Sequence, residues 1–139
     1  MKLHRILATI VATAALATPA FAEDTPLTEE MEKFNKALKT IVRAAKEGTV
    51  SKDLASKVDD AKKAAEASLK FEPEKTKDIP AAEKEKFLAD YKASMQETIK
   101  TLDELKAAVV AGKADEVGKV VEKLNAQKKE GHKKFQKEE

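Results

Sequence analysis

Apolar residues recur every three or four positions along four segments of the chain, and this period is typical of amphipathic α-helices. The clearest stripe consists of Leu27, Met31, Phe34, Leu38, Ile41 and Ala45. Its alternating spacings of four and three residues indicate a helix that packs against partner helices. We predict this first helix at about residues 27–46. Thr25 or Thr28 is expected at its N-cap, and Gly48 at its C′ position.

A second helix is predicted to begin with Ser51 as its N-cap and to run to about Lys70. One face of this segment carries an alanine-rich stripe formed by Leu54, Val58, Ala61, Ala65 and Leu69. Small side chains of this kind let a neighbouring helix or a flat ligand approach closely. The segment 71–79 contains Pro73 and alternating charges without an apolar period, so we predict a connecting loop there.

A third helix is predicted to start near Pro80 as its N1 residue and to end at about Val110. A short turn at Gly112 and Lys113 follows, and a fourth amphipathic segment covers residues 117–135. The sequence contains no alternating pattern typical of strands. Four amphipathic helices with short connections predict an all-α fold, an antiparallel up-down-up-down four-helix bundle.

The first 22 residues have the pattern of a secretory signal peptide. Lys2 and Arg5 precede an apolar run, Ile6–Ala17, and small residues flank Phe21 in the segment Ala20-Phe21-Ala22. We therefore expect residues 1–22 to be removed and residues 23–139 to form one domain in the periplasm. The apolar run is shorter than the roughly 20 residues that a membrane-spanning helix needs, so no membrane insertion is expected after removal.

Removal of the signal peptide changes the charge balance of the chain. The full sequence has 27 Lys and Arg against 25 Asp and Glu, and the loss of Lys2 and Arg5 leaves 25 of each. A mature chain without net charge argues against nucleic-acid binding, which needs a basic surface. The absence of cysteine excludes thiolate metal sites, cysteine nucleophiles and covalent haem attachment through cysteine. We expect a monomer.

His132 is the only histidine that remains once the predicted signal peptide is removed. It follows Val121 by eleven residues, so it points about 20° away from the inward direction of that side chain. In an up-down-up-down bundle the first helix starts at the end where the last helix finishes. Met31 and His132 are therefore expected to face each other at that end.

Each of these two residues alone is more often part of an ordinary core, but the pair is a candidate ligand set. A neutral imidazole with a soft thioether suits the two axial positions of haem iron. Zinc fits badly because it takes three or four nitrogen, sulfur or carboxylate ligands. A di-iron site in a bundle fits badly as well, because it uses Glu-x-x-His pairs and position 129 is Lys.

The mature chain resembles the soluble cytochrome b562 family, whose members are periplasmic four-helix bundles with one non-covalent haem b. The similarity runs from Leu27 to Gln136. Its most specific parts are Glu30-Met31-Glu32 through Leu38, Leu102-Asp103-Glu104, Ala111-Gly112-Lys113 and the twenty-residue step from Gly112 to His132.

The resemblance implies that Met31 and His132 are the axial ligands. It also implies a haem pocket lined by Leu27, Phe34, Asn35, Leu38, Tyr91 and Met95, with Lys128 beside the propionates where the family has arginine. The implied function is electron transfer with an unidentified redox partner protein, and the protein is not expected to be an enzyme. The alternative is a haem-free periplasmic bundle with a partner-binding or structural role.

Overall fold

The computed structural model describes residues 25–137. These residues form four α-helices and one short 3₁₀ helix: α1 (Pro26–Glu47), α2 (Asp53–Ser68), the 3₁₀ helix (Glu74–Asp78), α3 (Ala81–Val110) and α4 (Ala114–Phe135). No strand occurs in this part of the chain. The predicted signal peptide, residues 1–22, lies outside the described residues.

Both ends of α1 have the caps that the sequence predicts. The Thr25 hydroxyl accepts a hydrogen bond from the backbone N–H of Thr28 at 3.2 Å, so Thr25 is the N-cap and Thr28 lies within the helix. At the other end Gly48 adopts a left-handed φ of 68°, and its N–H is directed at the carbonyls of Ala44 and Ala45. Glycine adopts this conformation without a steric penalty, which is why it ends the helix here.

The start of α2 differs from the prediction. Lys52 rather than Ser51 occupies the N-cap position, and no side chain caps the helix. Ser51 contributes its carbonyl instead, which accepts a hydrogen bond from the N–H of Leu54 at 3.0 Å. The prediction of Ser51 as N-cap was therefore wrong. The N–H groups of Leu54 and Ala55 donate to the backbone carbonyls of Ser51 and Lys52, both at 3.0 Å, rather than to a side chain.

The connection between α2 and α3 is more regular than the predicted loop. It contains the 3₁₀ helix at Glu74–Asp78, where the N–H of Thr76 donates to the carbonyl of Pro73 at 3.0 Å. Pro80 was predicted as the N1 residue of α3, but it lies at the N-cap, with φ −54° and ψ 142°, and the helix begins at Ala81. Its carbonyl accepts from the N–H of Glu83 at 2.9 Å, as an N-cap carbonyl does.

Each helix packs against two neighbours. Consecutive helices pack together in the order α1, α2, α3, α4, and α4 returns to pack against α1. The short connections reverse the chain each time, so the predicted antiparallel up-down-up-down bundle is confirmed. The α1–α4 seam is the least extensive of the four helix contacts. Within residues 25–137, no helix has both the length and the apolar character required to cross a membrane.

The best-packed part of the core lies at one end of the bundle. The largest fully buried side chains are those of Ile41, Leu102, Leu105, Leu124, Val58, Val109, Val117, Thr101 and Ser68. All of them except Ser68 belong to the second half of α1 or α3, or to the first half of α2 or α4. In an antiparallel bundle these halves share one end, which we call the packed end. The opposite end contains Met31, and we call it the Met31 end.

Two adjacent valines in α3 test this description of the core. Val109 is 2% exposed at the packed end, whereas Val110 is 58% exposed. We expect Val109→Ala to lower the free energy of unfolding by about 2 kcal/mol, because two buried methyl groups are lost and a cavity remains. Val110→Ala should change it by less than about 0.5 kcal/mol. Urea unfolding of the purified protein measures both, and equal effects would contradict the assignment of Val109 to the core.

Candidate functional site

A continuous set of contacts joins all four helices at the Met31 end. The hydroxyl of Ser68, the last residue of α2, lies 3.7 Å from the sulfur of Met31 in α1 and can donate to it. The Tyr91 hydroxyl in α3 donates to the Ser68 carbonyl at 3.0 Å. The Tyr91 ring meets the Phe135 ring of α4 edge to face, with 5.5 Å between centroids. The start of α1 and the end of α4 therefore converge on the same group of side chains.

The end of α2 explains why Ser68 is important here. The last carbonyls of a helix have no partner within the helix, and a buried one must find a partner elsewhere. Ser68 is fully buried, and its carbonyl accepts from the Tyr91 hydroxyl and from the N–H of Phe71 at 3.3 Å. Its own hydroxyl also donates back to the Ala64 carbonyl at 2.8 Å. Ser68 is the only buried serine among the described residues, and both its backbone carbonyl and its side chain form hydrogen bonds.

Tyr91 combines an apolar ring with one polar atom. Its side chain is buried, and burial raises the pKa of the phenol to about 12. The hydroxyl therefore keeps its proton throughout the physiological range and remains a hydrogen-bond donor to α2. A phenylalanine would fill the same space, but it would leave the Ser68 carbonyl without this partner.

Three aromatic rings form one wall at this end. Phe135 lies between Phe87 and Tyr91, and both ring pairs have centroids 5.5 Å apart in edge-to-face arrangements. Phe87 and Phe135 are not among the site residues that the sequence predicted. The signal was present in the spacing, because Phe87 precedes Tyr91 by four residues and Phe135 follows His132 by three.

His132 lies half-buried in the last turn of α4, three residues before Phe135. Burial lowers the pKa of its imidazole below the usual 6.5, and the positive charge of Lys128, one turn earlier, lowers it further. The ring is consequently neutral at pH 7, the form in which a nitrogen lone pair can bind a metal. Phe135, in the same last turn of α4, meets the Tyr91 ring, so this turn lies at the end of the bundle that the sequence predicted.

The structure distributes the other predicted site residues between core and rim. Four of them are buried in the core: Phe34, Leu38, Tyr91 and Met95. Leu27 and Met31 are half-buried and pack against that core. The side chains of Asn35, Lys128 and His132 are half-buried as well. The direct pairing of Met31 with His132 across one cavity stays a prediction.

Asn35 lies one turn after Met31 on the same face of α1. Its side-chain oxygen is buried, and within the described residues it has no hydrogen-bond partner. An unpaired buried amide is costly in an otherwise apolar environment. The Asn35 oxygen, one turn from Met31, therefore lacks a hydrogen-bond donor among the described residues.

An open groove of about 540 Å³ runs between α3 and α4 on the outer side of the aromatic wall. It is bordered by Phe87 and Phe135 and by charged side chains that include Asp90 and Glu130. Neither Met31 nor His132 lines it. The groove is therefore separate from the candidate ligand pair.

The donors at the Met31 end restrict the kind of metal group that fits. Among residues 25–137, no three side chains of histidine, cysteine, aspartate or glutamate form a metal-binding cluster. The donors are one neutral imidazole and one soft thioether, next to aromatic and aliphatic walls. A flat macrocycle that already supplies four ligands to its metal needs this kind of two-donor set. The residues present thus fit a haem.

Comparison with known proteins agrees with this assignment. Residues 26–136 match the family model described as cytochrome b562, and this range includes all four helices. The chain belongs to the cytochrome b562 family. This match confirms the resemblance that the sequence motifs indicated. Members of the cytochrome b562 family are haem-binding electron-transfer proteins. No curated protein sequence and no solved structure matches the chain significantly.

The charge state of His132 gives a prediction for the haem-free protein. We expect its imidazole to titrate below 6.5, because burial and Lys128 both oppose protonation. Lys128→Gln should raise this pKa part of the way towards 6.5, since only the effect of burial then remains. Imidazole proton NMR measures the titration. Lys119→Gln, near the packed end of the same helix, is the control and should leave the pKa unchanged.

The same shift makes a pH-dependent contribution to stability. Above about pH 6.5 the imidazole is neutral in both the folded and the unfolded chain, so it has no effect. Below that pH the unfolded chain binds the proton more readily, and the free energy of unfolding falls until the pH passes the folded-state pKa. This part of the acid destabilisation should be absent in His132→Gln. If both proteins lose stability equally from pH 7 to 5, the assigned direction of the shift is wrong.

Proposed function

We propose that this chain binds one non-covalent haem b between Met31 and His132 and acts as a periplasmic electron-transfer protein. The observation that carries the proposal is the set of contacts from Met31 through Ser68 and Tyr91 to Phe135. These contacts bring the helix ends that hold the two ligands to one group of side chains. Membership of the cytochrome b562 family supports the same function.

Haem iron supplies one-electron exchange between its ferric and ferrous states when it is bound. His132 serves this exchange as a neutral nitrogen donor, which binds iron in both states. The Met31 thioether is a softer donor and favours the ferrous state. Because both ligands are uncharged, the protein adds no compensating negative charge, and the reduced form is favoured further.

The remaining residues of the proposed pocket exclude water and fix orientation. Phe34, Leu38, Tyr91 and Met95 are buried and provide an apolar surface. Leu27 covers the rim, where it packs against the core from the first turn of α1. The Lys128 ammonium is the proposed partner of a propionate, and the Asn35 amide offers a polar group beside Met31.

The proposed setting of the protein follows from the N-terminal pattern. Residues 1–22 act as a signal peptide, and residues 23–139 form the haem-binding domain in the periplasm. The domain acts there as a monomer with an unidentified redox partner protein. We propose no enzymatic reaction, no nucleic-acid partner and no membrane insertion of the mature chain.

The completeness of the core favours one other function. The packed end, opposite the proposed haem site, buries large aliphatic side chains, and the Met31 sulfur lies within hydrogen-bonding distance of the Ser68 hydroxyl. A bundle of this kind is able to persist without haem. The second candidate is accordingly a haem-free bundle that binds a partner or has a structural role.

Haem titration distinguishes the two functions and the roles of the ligands. We expect one equivalent of haem to give the sharp reduced bands of a low-spin b-type cytochrome, with haem that acid acetone extracts. His132→Ala should lose most of the affinity, because the stronger donor is gone. Met31→Ala should retain haem more weakly, become high-spin and have a lower midpoint potential.

Met95→Leu is the matched control for the methionine. Met95 is buried one turn after Tyr91, and leucine preserves its volume, so the low-spin spectrum should remain. An unchanged spectrum and potential in Met31→Ala, together with a high-spin Met95→Leu, would identify Met95 as the sixth ligand. No absorbance change in the wild-type protein on addition of haem would support the haem-free bundle instead.

A further inference from the structure

We propose that Ser68 is a positioning residue for Met31: its hydroxyl orients the thioether sulfur and reduces the electron density that this sulfur donates. The effect on a bound metal rests on the proposed haem function, whereas the orientation of the sulfur does not. Ser68 is absent from the ligand and pocket residues that the sequence indicated.

The geometry around the Ser68 hydroxyl supports this role. Ser68 is fully buried, and its oxygen lies 3.7 Å from the Met31 sulfur, within hydrogen-bonding range for a sulfur acceptor. The same oxygen lies 2.8 Å from the Ala64 carbonyl. A serine hydroxyl has one proton, so these two acceptors compete for it. A thioether that donates one lone pair elsewhere retains a second lone pair for this proton.

Tyr91 fixes the residue that carries this hydroxyl. Ser68 ends α2, and terminal turns of helices fray when their carbonyls lack partners. The Tyr91 hydroxyl donates to the Ser68 carbonyl at 3.0 Å and joins the terminal turn to α3. The burial that raises the Tyr91 pKa to about 12 also keeps this donor protonated. The place of the Ser68 hydroxyl next to the Met31 sulfur thus depends on the hydrogen bond from Tyr91.

The direction of the effect follows from the chemistry of the ligand. A hydrogen bond to a metal-bound sulfur withdraws electron density from it, and such contacts adjust the potentials of metal sites. The oxidised metal depends more on ligand donation than the reduced metal does. The Ser68 hydroxyl should therefore favour the reduced state, and its removal should lower the midpoint potential.

Ser68→Ala tests the electronic part of the proposal in the haem-bound protein. We expect the low-spin spectrum to remain and the ratio of ferrous to ferric affinity to fall about threefold, near the lower limit for one hydrogen bond. That ratio corresponds to about 28 mV, at 59 mV per tenfold change for one electron. Tyr91→Phe should cause a smaller shift in the same direction, because it loosens the serine without removing the hydroxyl.

Ser56→Ala is the matched control on the same helix. The Ser56 hydroxyl also donates to a backbone carbonyl, that of Asp53 at 2.7 Å, but it is exposed in the first turns of α2. Its removal should leave the potential unchanged. If Ser68→Ala lowers the free energy of unfolding but leaves the potential at the wild-type value, Ser68 is merely structural and the proposal is overturned.

The haem-free protein provides a test that does not depend on haem binding. The methyl carbon NMR signal of Met31, assigned through Met31→Leu, should shift in Ser68→Ala and remain in place in Ser56→Ala. An unchanged signal in Ser68→Ala would overturn the orienting role. If the wild-type protein binds no haem, the electronic role fails together with the proposed function, and the methyl signal alone decides whether Ser68 orients the sulfur.

Discussion

The hydrogen bond from the Tyr91 hydroxyl to the Ser68 carbonyl joins the elements at the Met31 end of the bundle. It gives the buried Ser68 carbonyl a second donor, in addition to the N–H of Phe71. It also fixes the end of α2 against α3, where the serine hydroxyl reaches the sulfur in α1 and the tyrosine ring meets Phe135 in α4. This one buried hydrogen bond thereby helps to hold together the helix ends that carry both proposed ligands.

The two ends of the bundle differ in how they are held together. At the packed end, short turns join α1 to α2 and α3 to α4, and large aliphatic side chains are fully buried. At the Met31 end, the longer connection joins α2 to α3, and the half-buried Met31 and His132 accompany the buried Tyr91 and Phe135. Because the α1–α4 seam is the least extensive contact, these two helices separate with the smallest loss of packing. The proposed ligands lie on this pair of helices.

Local signals in the sequence were sufficient for most of the fold. The heptad spacing of apolar residues predicted four helices, and Thr25 and Gly48 capped α1 as expected because capping depends on a few neighbouring residues. The prediction of Ser51 as the N-cap of α2 was wrong, because it relied on neighbouring residue types alone. A serine before a helix need not be its N-cap when a backbone turn precedes the helix.

The site could be predicted only in part. Topology and family motifs predicted Met31 and His132 as a ligand pair, and this pairing stays a prediction. Ser68 was not predicted, because its partners Met31 and Tyr91 are 37 and 23 residues away in the chain. The apolar pattern of α2 also favoured Leu69 over the polar Ser68 as the last inward residue. Contacts of this kind depend on how the helices rotate against each other, and a one-dimensional period does not specify that rotation.

The separation of the packed end from the Met31 end has an evolutionary consequence. Substitutions of the two proposed ligands, Met31 and His132, fall on half-buried residues, so they cost the fold less than substitutions among the fully buried aliphatic residues. A chain with this arrangement stays above the threshold of stability while its binding site changes. Descendants of such a bundle are therefore free to acquire a different ligand, or to lose the ligand, without first acquiring a new core.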